Sequence, residues 1–255
     1  MNIDERKNKI LELLKENGIV KVTTLSELFN ISEVTIRNDL ADMESKGLLS
    51  RVHGGAISSY KPYCSMNFNQ RLETNQAEKN KIAKKISAMI EPNDTVMLNS
   101  GTTTLLVFRQ LPVDYNLNIV TNSISIALEA ATNPNYNVTL VGGAVNAKYQ
   151  FTYGAGAASQ LENYHANKLI LSVDGIDMEK GFSTYYDKES SIDKMMMKQS
   201  EMCIIAADKS KFRRNAFAKI SNLESADIIV TNCTLTSTEK KALDGAGISL
   251  VHVDE

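Results

Sequence analysis

The sequence has no apolar run that approaches the roughly 20 residues a membrane-spanning helix needs. Its first residues, MNIDERKNK, lack the apolar region of a signal peptide, so the expected location is the cytoplasm. The three cysteines (Cys64, Cys203 and Cys233) are scattered with no CxxC pair, which fits a reducing compartment. Cys203 opens an apolar run and reads as core rather than nucleophile. The three histidines (His53, His165 and His252) lie far apart, so no metal site and no cofactor is expected. Internal repeats and low-complexity segments are missing as well. So is any excess of positive charge: the net charge is −2. Residues 1–55 carry eight Lys/Arg against nine Asp/Glu. A claim of nucleic-acid binding must therefore rest on where charges sit, not on totals.

What is present is ordinary for a soluble globular chain: 43% hydrophobic and 23% charged over 255 residues, room for one large or two small domains. Residues from about Arg6 to Glu16 predict a first helix, with Ile10, Leu13 and Leu14 inward and Asn17-Gly18 as its stop. A short β-like run, Ile19 to Val22, follows. Thr24 and Glu27 have capping-box spacing and predict a second helix to about Phe29. Asn30-Ile31-Ser32 reads as a turn whose Ser32 caps a third helix. On that helix Ile36, Leu40 and Met43 fall on one buried stripe. Gly47 after Lys46 supplies its left-handed stop. Leu48, Ser50 and Val52 alternate with Leu49, Arg51 and His53, and Gly54-Gly55 offers a reversal.

Two short helices, a tight turn and a small hairpin make a winged helix-turn-helix, expected over residues 1–57. The helix from Glu33 to about Ser45 would enter the major groove. Ser32, Glu33, Thr35, Arg37 and Asn38 lie in its first turns, off the buried stripe, and Arg51 and His53 lie in the wing. These seven are the candidate DNA-binding residues. Arg6, Lys7, Lys9, Arg37 and Arg51 could form one basic face. The near-balance of charge implies that one copy binds weakly and that several act together. The same pattern also fits a small helical domain that packs against protein.

Ser58 to Asn75 is poor in periodicity, contains Pro62 and reads as a linker, with Tyr60, Tyr63 and Phe68 able to dock against either domain. Arg71-Leu72-Glu73 could already belong to the next unit. From Gln76 a helix carries Ile82, Ile86, Met89 and Ile90, and then apolar strand-like runs alternate with helical ones to the end of the chain. Continuous apolar runs separated by helices predict a mostly parallel sheet covered on both faces, a Rossmann-like doubly wound α/β domain over residues 76–255.

Ligands of such sheets sit beyond the carboxyl ends of the strands. Here TVMLN runs into Ser100-Gly101-Thr102-Thr103-Thr104, and a helix follows. That arrangement presents amides and hydroxyls to an anion, phosphate being the natural guest, although the loop also reads as an ordinary capped turn. Four further strand ends are polar: Thr121-Asn122-Ser123, Gly142-Gly143, Asp174-Gly175-Ile176-Asp177 and Asp208-Lys209-Ser210-Lys211. Carboxylates and an amide suit sugar hydroxyls, and lysines suit phosphate.

Two resemblances join these readings. IRNDLADMESKGLLSRVHGGA resembles the signature of the DeoR family of bacterial repressors, in which a TIR-x-DL helix, a KGL turn and an RVHGGA wing recur together. Asn38 departs from it, standing where that family usually has a second arginine. LNSGTTT, IVTNS, LVGG, DGID and AADKSKF resemble, in order, the blocks of that family's C-terminal sensor domain. That domain is similar to sugar-phosphate isomerases such as ribose-5-phosphate isomerase and typically senses phosphorylated sugars. The resemblance implies double-stranded operator DNA, a phosphorylated sugar effector and a homo-oligomer. It implies that Ser100, Gly101, Thr102 and Thr103 hold phosphate, with Asp174, Lys209 and Lys211 at the sugar side. Asn122, Gly142 and Gly143, at the neighbouring strand ends, complete the candidate effector-binding residues. A second departure is Ser191 and Asp193, which replace an acid and a lysine common in relatives.

The alternative is an isomerase fused to a DNA-binding domain: Asp174 and Asp177 resemble the DGAD loop of ribose-5-phosphate isomerase, which implies acids that move protons with a nearby lysine. MEKGFSTYY lacks the glycine-rich run that positions such an enzyme's lysine, which favours a sensor.

Overall fold

The computed structural model describes residues 3–17, 19–45, 48–58, 63 and 65–254, and the chain divides into two units, Met1–Met66 and Asn67–Glu255. Helices Ile3–Asn17, Val22–Phe29 and Glu33–Ser45 build the first unit together with a three-stranded sheet. In that sheet Gly55–Ser58 lies between Ile19–Lys21 and Leu49–Val52 and runs antiparallel to both. The expected stripe is the core: Ile36, Leu40 and Met43 are buried with Ile10, Leu14, Leu25 and Leu49. Gly54 turns the wing at φ +76°, a left-handed value that glycine adopts without strain. A Cβ on Gly55 would stand 2.1 Å from the Val20 carbonyl oxygen, so this second glycine is what lets the hairpin close on the first strand.

Two expectations for this unit are corrected. The second helix starts at Val22, with Lys21 at its N-cap and no side-chain cap, so Thr24 and Glu27 do not begin it. Burial decides the start: Val22 and Leu25 both enter the core, and the Val22 amide is bonded to the Gly54 carbonyl oxygen at 2.9 Å. Arg6 is buried and ion-paired to Asp39 at 2.7 Å, not part of a basic surface. The stop expected at Lys46-Gly47 lies outside the described residues, as do Tyr60, Pro62 and Cys64.

Within the stretch expected as a linker, Phe68–Glu73 is a helix closed by a reciprocal cap between Asn67 and Gln70. Its Phe68 is buried among Ile82, Ile86 and Leu105 of the second unit. Among the described residues, seven strands of that unit form one sheet. Its spatial order is Ser249–His252, Ile228–Thr231, Ser200–Ala206, Ala166–Ser172, Thr95–Leu98, Leu117–Thr121, Tyr136–Leu140. Every neighbouring pair is parallel. In chain order this reads 7-6-5-4-1-2-3, a doubly wound sheet whose direction of progression reverses between Thr95–Leu98 and Ala166–Ser172. Alternate strand residues feed two cores. Met97, Leu169, Leu171, Cys203 and Ile205 face one side, and Val96, Leu98, Ile170, Ile204 and Ala206 face the other.

Two antiparallel additions were not read from the sequence. Ala144–Asn146 pairs with Phe151–Tyr153, and Gly175–Asp177, Gly181–Thr184 and Ala218–Ser221 form a small second sheet. No described helix is long and apolar enough to cross a membrane.

Candidate DNA-reading helix and anion pocket

In the first unit, Ser32 caps the third helix: its Oγ accepts the Thr35 amide at 3.2 Å and shares a hydrogen bond with Thr35 Oγ1. Those two hydroxyls are therefore engaged in the cap. Arg37 is ion-paired to Glu33 one turn earlier, with side chains 56% and 41% exposed. Such an exposed pair is worth about 0.2–1 kcal/mol, so the guanidinium can leave it for a stronger partner. Asn38 is exposed beside Arg37. Val34, also on the first turn, is 63% exposed and was not among the expected residues. A β-branched apolar side chain off the buried stripe was its signal, and it suits contact with a thymine methyl group. In the wing His53 is exposed, and both Arg51 nitrogens, backbone N and Nε, donate to the Glu44 carboxylate at 2.7 and 2.8 Å. The Arg51 amide and guanidinium hold the Glu44 carboxyl below its usual range. Lys7 pairs with Asp42 and Lys9 with Glu12. The expected basic face is thus a set of cations that each meet an acid, in keeping with the nearly neutral charge of residues 1–55.

In the second unit, the polar residues gather where the strand order reverses. Asn99 ties the two strand ends together: its Nδ2 donates to the Ser172 carbonyl oxygen at 2.9 Å, and its Oδ1 accepts the Ser172 amide at 3.1 Å. The next two residues enter the helix Thr102–Arg109, capped at Gly101. A Cβ on Gly101 would sit 1.5 Å from Ser172 Oγ, so only glycine fits between the strands. Thr104 folds its hydroxyl back onto the Asn99 and Gly101 carbonyls, at 2.7 and 2.6 Å, which fixes the loop. Among the described residues no N-cap side chain accepts from the first amides of that helix.

Three cations are buried around this loop. Lys79 is fully buried, its Nζ donating to Thr102 Oγ1 at 3.2 Å and to the Arg71 carbonyl oxygen. Lys211 and Arg71 approach the same Asp174 oxygen at 3.5 and 3.4 Å. The Arg71 guanidinium also lies over the Tyr149 and Tyr185 rings, 4.7 and 5.4 Å from their centroids. Burial pulls the Lys211 ammonium down to about 8, against the opposing pull of Asp174 and Asp208. Although its burial works the other way, Lys211 and the Ser210 amide hold the Asp208 carboxyl below its usual range.

The acids are as closely placed. Glu189 accepts from Ser100 Oγ at 2.6 Å and from Thr184 Oγ1 at 2.9 Å. Burial, then the charge on Asp174, raises the Glu189 carboxyl. Asp193 is 1% exposed, accepts from Asn99 Nδ2 at 3.1 Å and is raised well above its usual range by burial and then by Glu189. Asp174 Oδ2 accepts the Tyr185 amide at 3.1 Å.

Of the expected effector residues, Ser100, Gly101, Thr102, Thr103, Asp174 and Lys211 gather at this point. Lys209 is partly exposed on the adjoining turn, with its amide on Asn232 Oδ1 at 2.8 Å. Asn122 is buried and donates to the Thr152 carbonyl oxygen at 3.3 Å, and its own Oδ1 has no partner among the described residues. Gly142 and Gly143 are exposed: Gly142 exchanges hydrogen bonds with the Gln160 side chain, and Gly143 packs against the Tyr153 carbonyl. Arg71, Lys79, Glu189, Tyr149 and Tyr185 were not among the expected site residues. Lys79 had a signal: it stands one turn before Ile82 on the buried stripe of its helix, where an unpaired lysine is costly. Of the two departures, Asp193 reaches the site and Ser191 does not, its hydroxyl being turned back to the Lys188 carbonyl.

Known proteins agree with this division. The DeoR-like helix-turn-helix domain matches residues 6–61, and the DeoR C terminal sensor domain matches residues 74–233. The chain is 33% identical over 253 residues to a putative aga operon transcriptional repressor of Escherichia coli O157:H7, covering 98% of this chain and 94% of that one. It is 31% identical to the HTH-type transcriptional regulator GolR of Listeria innocua, covering 96% of each. Among solved structures, a ribose 5-phosphate isomerase A from Methanocaldococcus jannaschii aligns over 55% of each chain, with 14% identity and a TM-score of 0.41, too distant a likeness to bear on function. A helix-turn-helix head and a doubly wound unit with a polar switch point, matched over nearly the whole chain by regulators of one kind, place this protein in the DeoR family of transcriptional regulators.

Proposed function

We propose that the chain is a cytoplasmic repressor of a sugar-metabolism operon, working as a homo-oligomer and released from its operator by a phosphorylated sugar. The observation that carries this reading is the burial of Arg71, Lys79 and Lys211 around the N-terminus of the Thr102–Arg109 helix, where no side chain caps Gly101. Arg71 and Lys211 meet Asp174, and Lys79 meets the Arg71 carbonyl and Thr102 Oγ1, so these cations are held in place around the loop. The helix N-terminus adds positive potential, and a phosphate on the Ser100–Thr103 loop joins them there. Asp174, Glu189 and Thr184 offer acceptors and a hydroxyl for the sugar. In the DNA-binding unit, Ser32, Glu33, Thr35, Arg37 and Asn38 face the major groove, with Arg51 and His53 in the wing near the backbone or the minor groove. A single module makes few contacts, so two heads act together. Relatives are named as a putative aga operon transcriptional repressor and as the HTH-type transcriptional repressor GlcR, which supports a repressor role.

An isomerase reading is disfavoured by Asp177. Its carboxylate accepts the Glu179 and Lys180 amides at 3.0 and 2.9 Å and Asn215 Nδ2 at 3.1 Å. Those bonds hold its carboxyl below its usual range despite partial burial, so it serves a turn and is poorly placed to move protons. The test is a panel of ribose 5-phosphate, glucose 6-phosphate, fructose 6-phosphate and fructose 1-phosphate, each beside its unphosphorylated sugar. A phosphorylated member should raise the Tm where its parent sugar does not, and no isomer should accumulate. Isomer formation would make the chain an enzyme, and a Tm that no member moves would remove the pocket.

A further inference from the structure

The helix Phe68–Glu73 is six residues long, too short to hold its shape alone. Its cap, the burial of Phe68, Leu72 against the core and the Phe68 amide on the Lys148 carbonyl hold it, and two further ties end at the switch point. Its Arg71 side chain reaches Asp174 at 3.4 Å between the Tyr149 and Tyr185 rings, and its Arg71 carbonyl accepts from Lys79 Nζ. Lys79 Nζ in turn touches Thr102 Oγ1 at the head of the anion loop, and the Tyr185 amide is held by the other oxygen of Asp174. The chain enters the second unit through this helix, directly after Met66.

We propose that Phe68–Glu73 is the output element of the sensor: an anion on the Thr102 loop draws Lys79 from the Arg71 carbonyl, sugar hydroxyls take Asp174 from the Arg71 guanidinium, and the freed helix lowers operator affinity. The inference rests on the phosphosugar reading above and adds how occupancy is read out. Both ties are broken by the groups a phosphorylated sugar carries, a phosphate for Lys79 and hydroxyls for Asp174. An unphosphorylated sugar reaches only one of them. The ligand has differential affinity for the two states because it competes for ties that exist in only one of them.

The test needs no ligand. A duplex selected from random DNA by the unaltered chain is titrated with Arg71→Gln, Asp174→Asn and the double variant, each verified as folded by thermal unfolding. With the ion pair gone the helix should loosen without sugar phosphate, so each single variant should bind the duplex about tenfold more weakly or worse. The double variant should be no worse than the weaker single one, because both remove the same tie. Folded variants that bind within about twofold of the parent would overturn the inference. Should Arg71→Gln or Asp174→Asn fail to fold, amide exchange at Arg71 and Thr74 is followed in the unaltered chain with each panel member. The member that raises the Tm should speed exchange at both amides, and unchanged protection would overturn the inference while leaving the phosphosugar reading intact. A panel in which no member raises the Tm removes that reading, and the inference falls with it.

Discussion

Gly101→Ala tests the switch-point loop most sharply, because the geometry leaves an added methyl nowhere to go. The new Cβ would lie 1.5 Å from Ser172 Oγ and 2.7 Å from Ser172 Cβ, with Thr104 Oγ1 at 3.3 Å. The serine hydroxyl could rotate away, but its Cβ belongs to a central strand tied to Asn99 and cannot. Overpacking of this kind costs about 1–3 kcal/mol. For a unit of this size each kcal/mol lowers Tm by about 2–4 °C, so the expected fall is about 2–12 °C. The loop amides would also move off their acceptor, and the response to a phosphorylated sugar should disappear. Adding Ser172→Gly removes both offending atoms. The double variant should therefore be more stable than Gly101→Ala alone, although Ser172→Gly by itself costs about 0.5–1 kcal/mol. The assay is thermal unfolding of the four proteins with and without the stabilising sugar phosphate. A Gly101→Ala protein with the parent Tm and the parent response would refute the packing argument and the loop assignment together.

Thr103→Val should keep the fold, since valine preserves shape at a buried position, and weaken ligand binding roughly ten- to a hundredfold through the loss of a charge-assisted hydrogen bond of about 1.5–3 kcal/mol, read by ligand titration. Ligand affinity should also fall as pH rises above about 8, where Lys211 discharges. The sign for stability is opposite: a lysine with a lowered folded pKa destabilises the fold when charged, so on its account the ligand-free chain gains stability between about 8 and 10.5. Calorimetric titrations across that range separate the two trends, and a flat binding profile would exclude Lys211 from the anion site. Arg37→Ala should cost about 1–3 kcal/mol in operator binding while the Tm gain from sugar phosphate persists, and an unchanged mobility-shift midpoint would remove Arg37 from the readout.

The parallel sheet was legible in the sequence because its central strands, such as Thr95–Leu98, Ala166–Ser172 and Ser200–Ala206, carry short apolar runs. Burial on both faces requires that pattern, and the helix between runs dictates parallel pairing. The wing was legible from Gly54-Gly55, where one glycine supplies the turn and the other the close approach. The turn at Ser100 to Thr103 was legible for the same kind of reason: a strand ends in hydroxyls and glycine, and a helix follows.

What could not be read depends on pairings distant in sequence. Arg6 meets Asp39 and Lys7 meets Asp42, so counting cations on helices overstated the basic face. Phe68–Glu73 has too few residues to declare a period, and its cap and Phe68 become meaningful only against the second unit's core. Arg71 and Asp174 are 103 residues apart. Their ion pair has no local signature. Asp193 stood out only as a departure from the lysine usual there, and its position on the Asp187–Lys198 helix brings it to Asn99 at the switch point.

The central claim, that anion occupancy of the switch-point pocket sets operator affinity, is tested most directly by titrating the preformed protein–duplex complex with the sugar phosphate that stabilises the chain and, in parallel, with its unphosphorylated sugar. The account predicts that the phosphorylated form releases the duplex and that, by linkage, the duplex weakens binding of the sugar phosphate by the same factor. Equal release by both forms, or a complex that neither form disturbs, would contradict it.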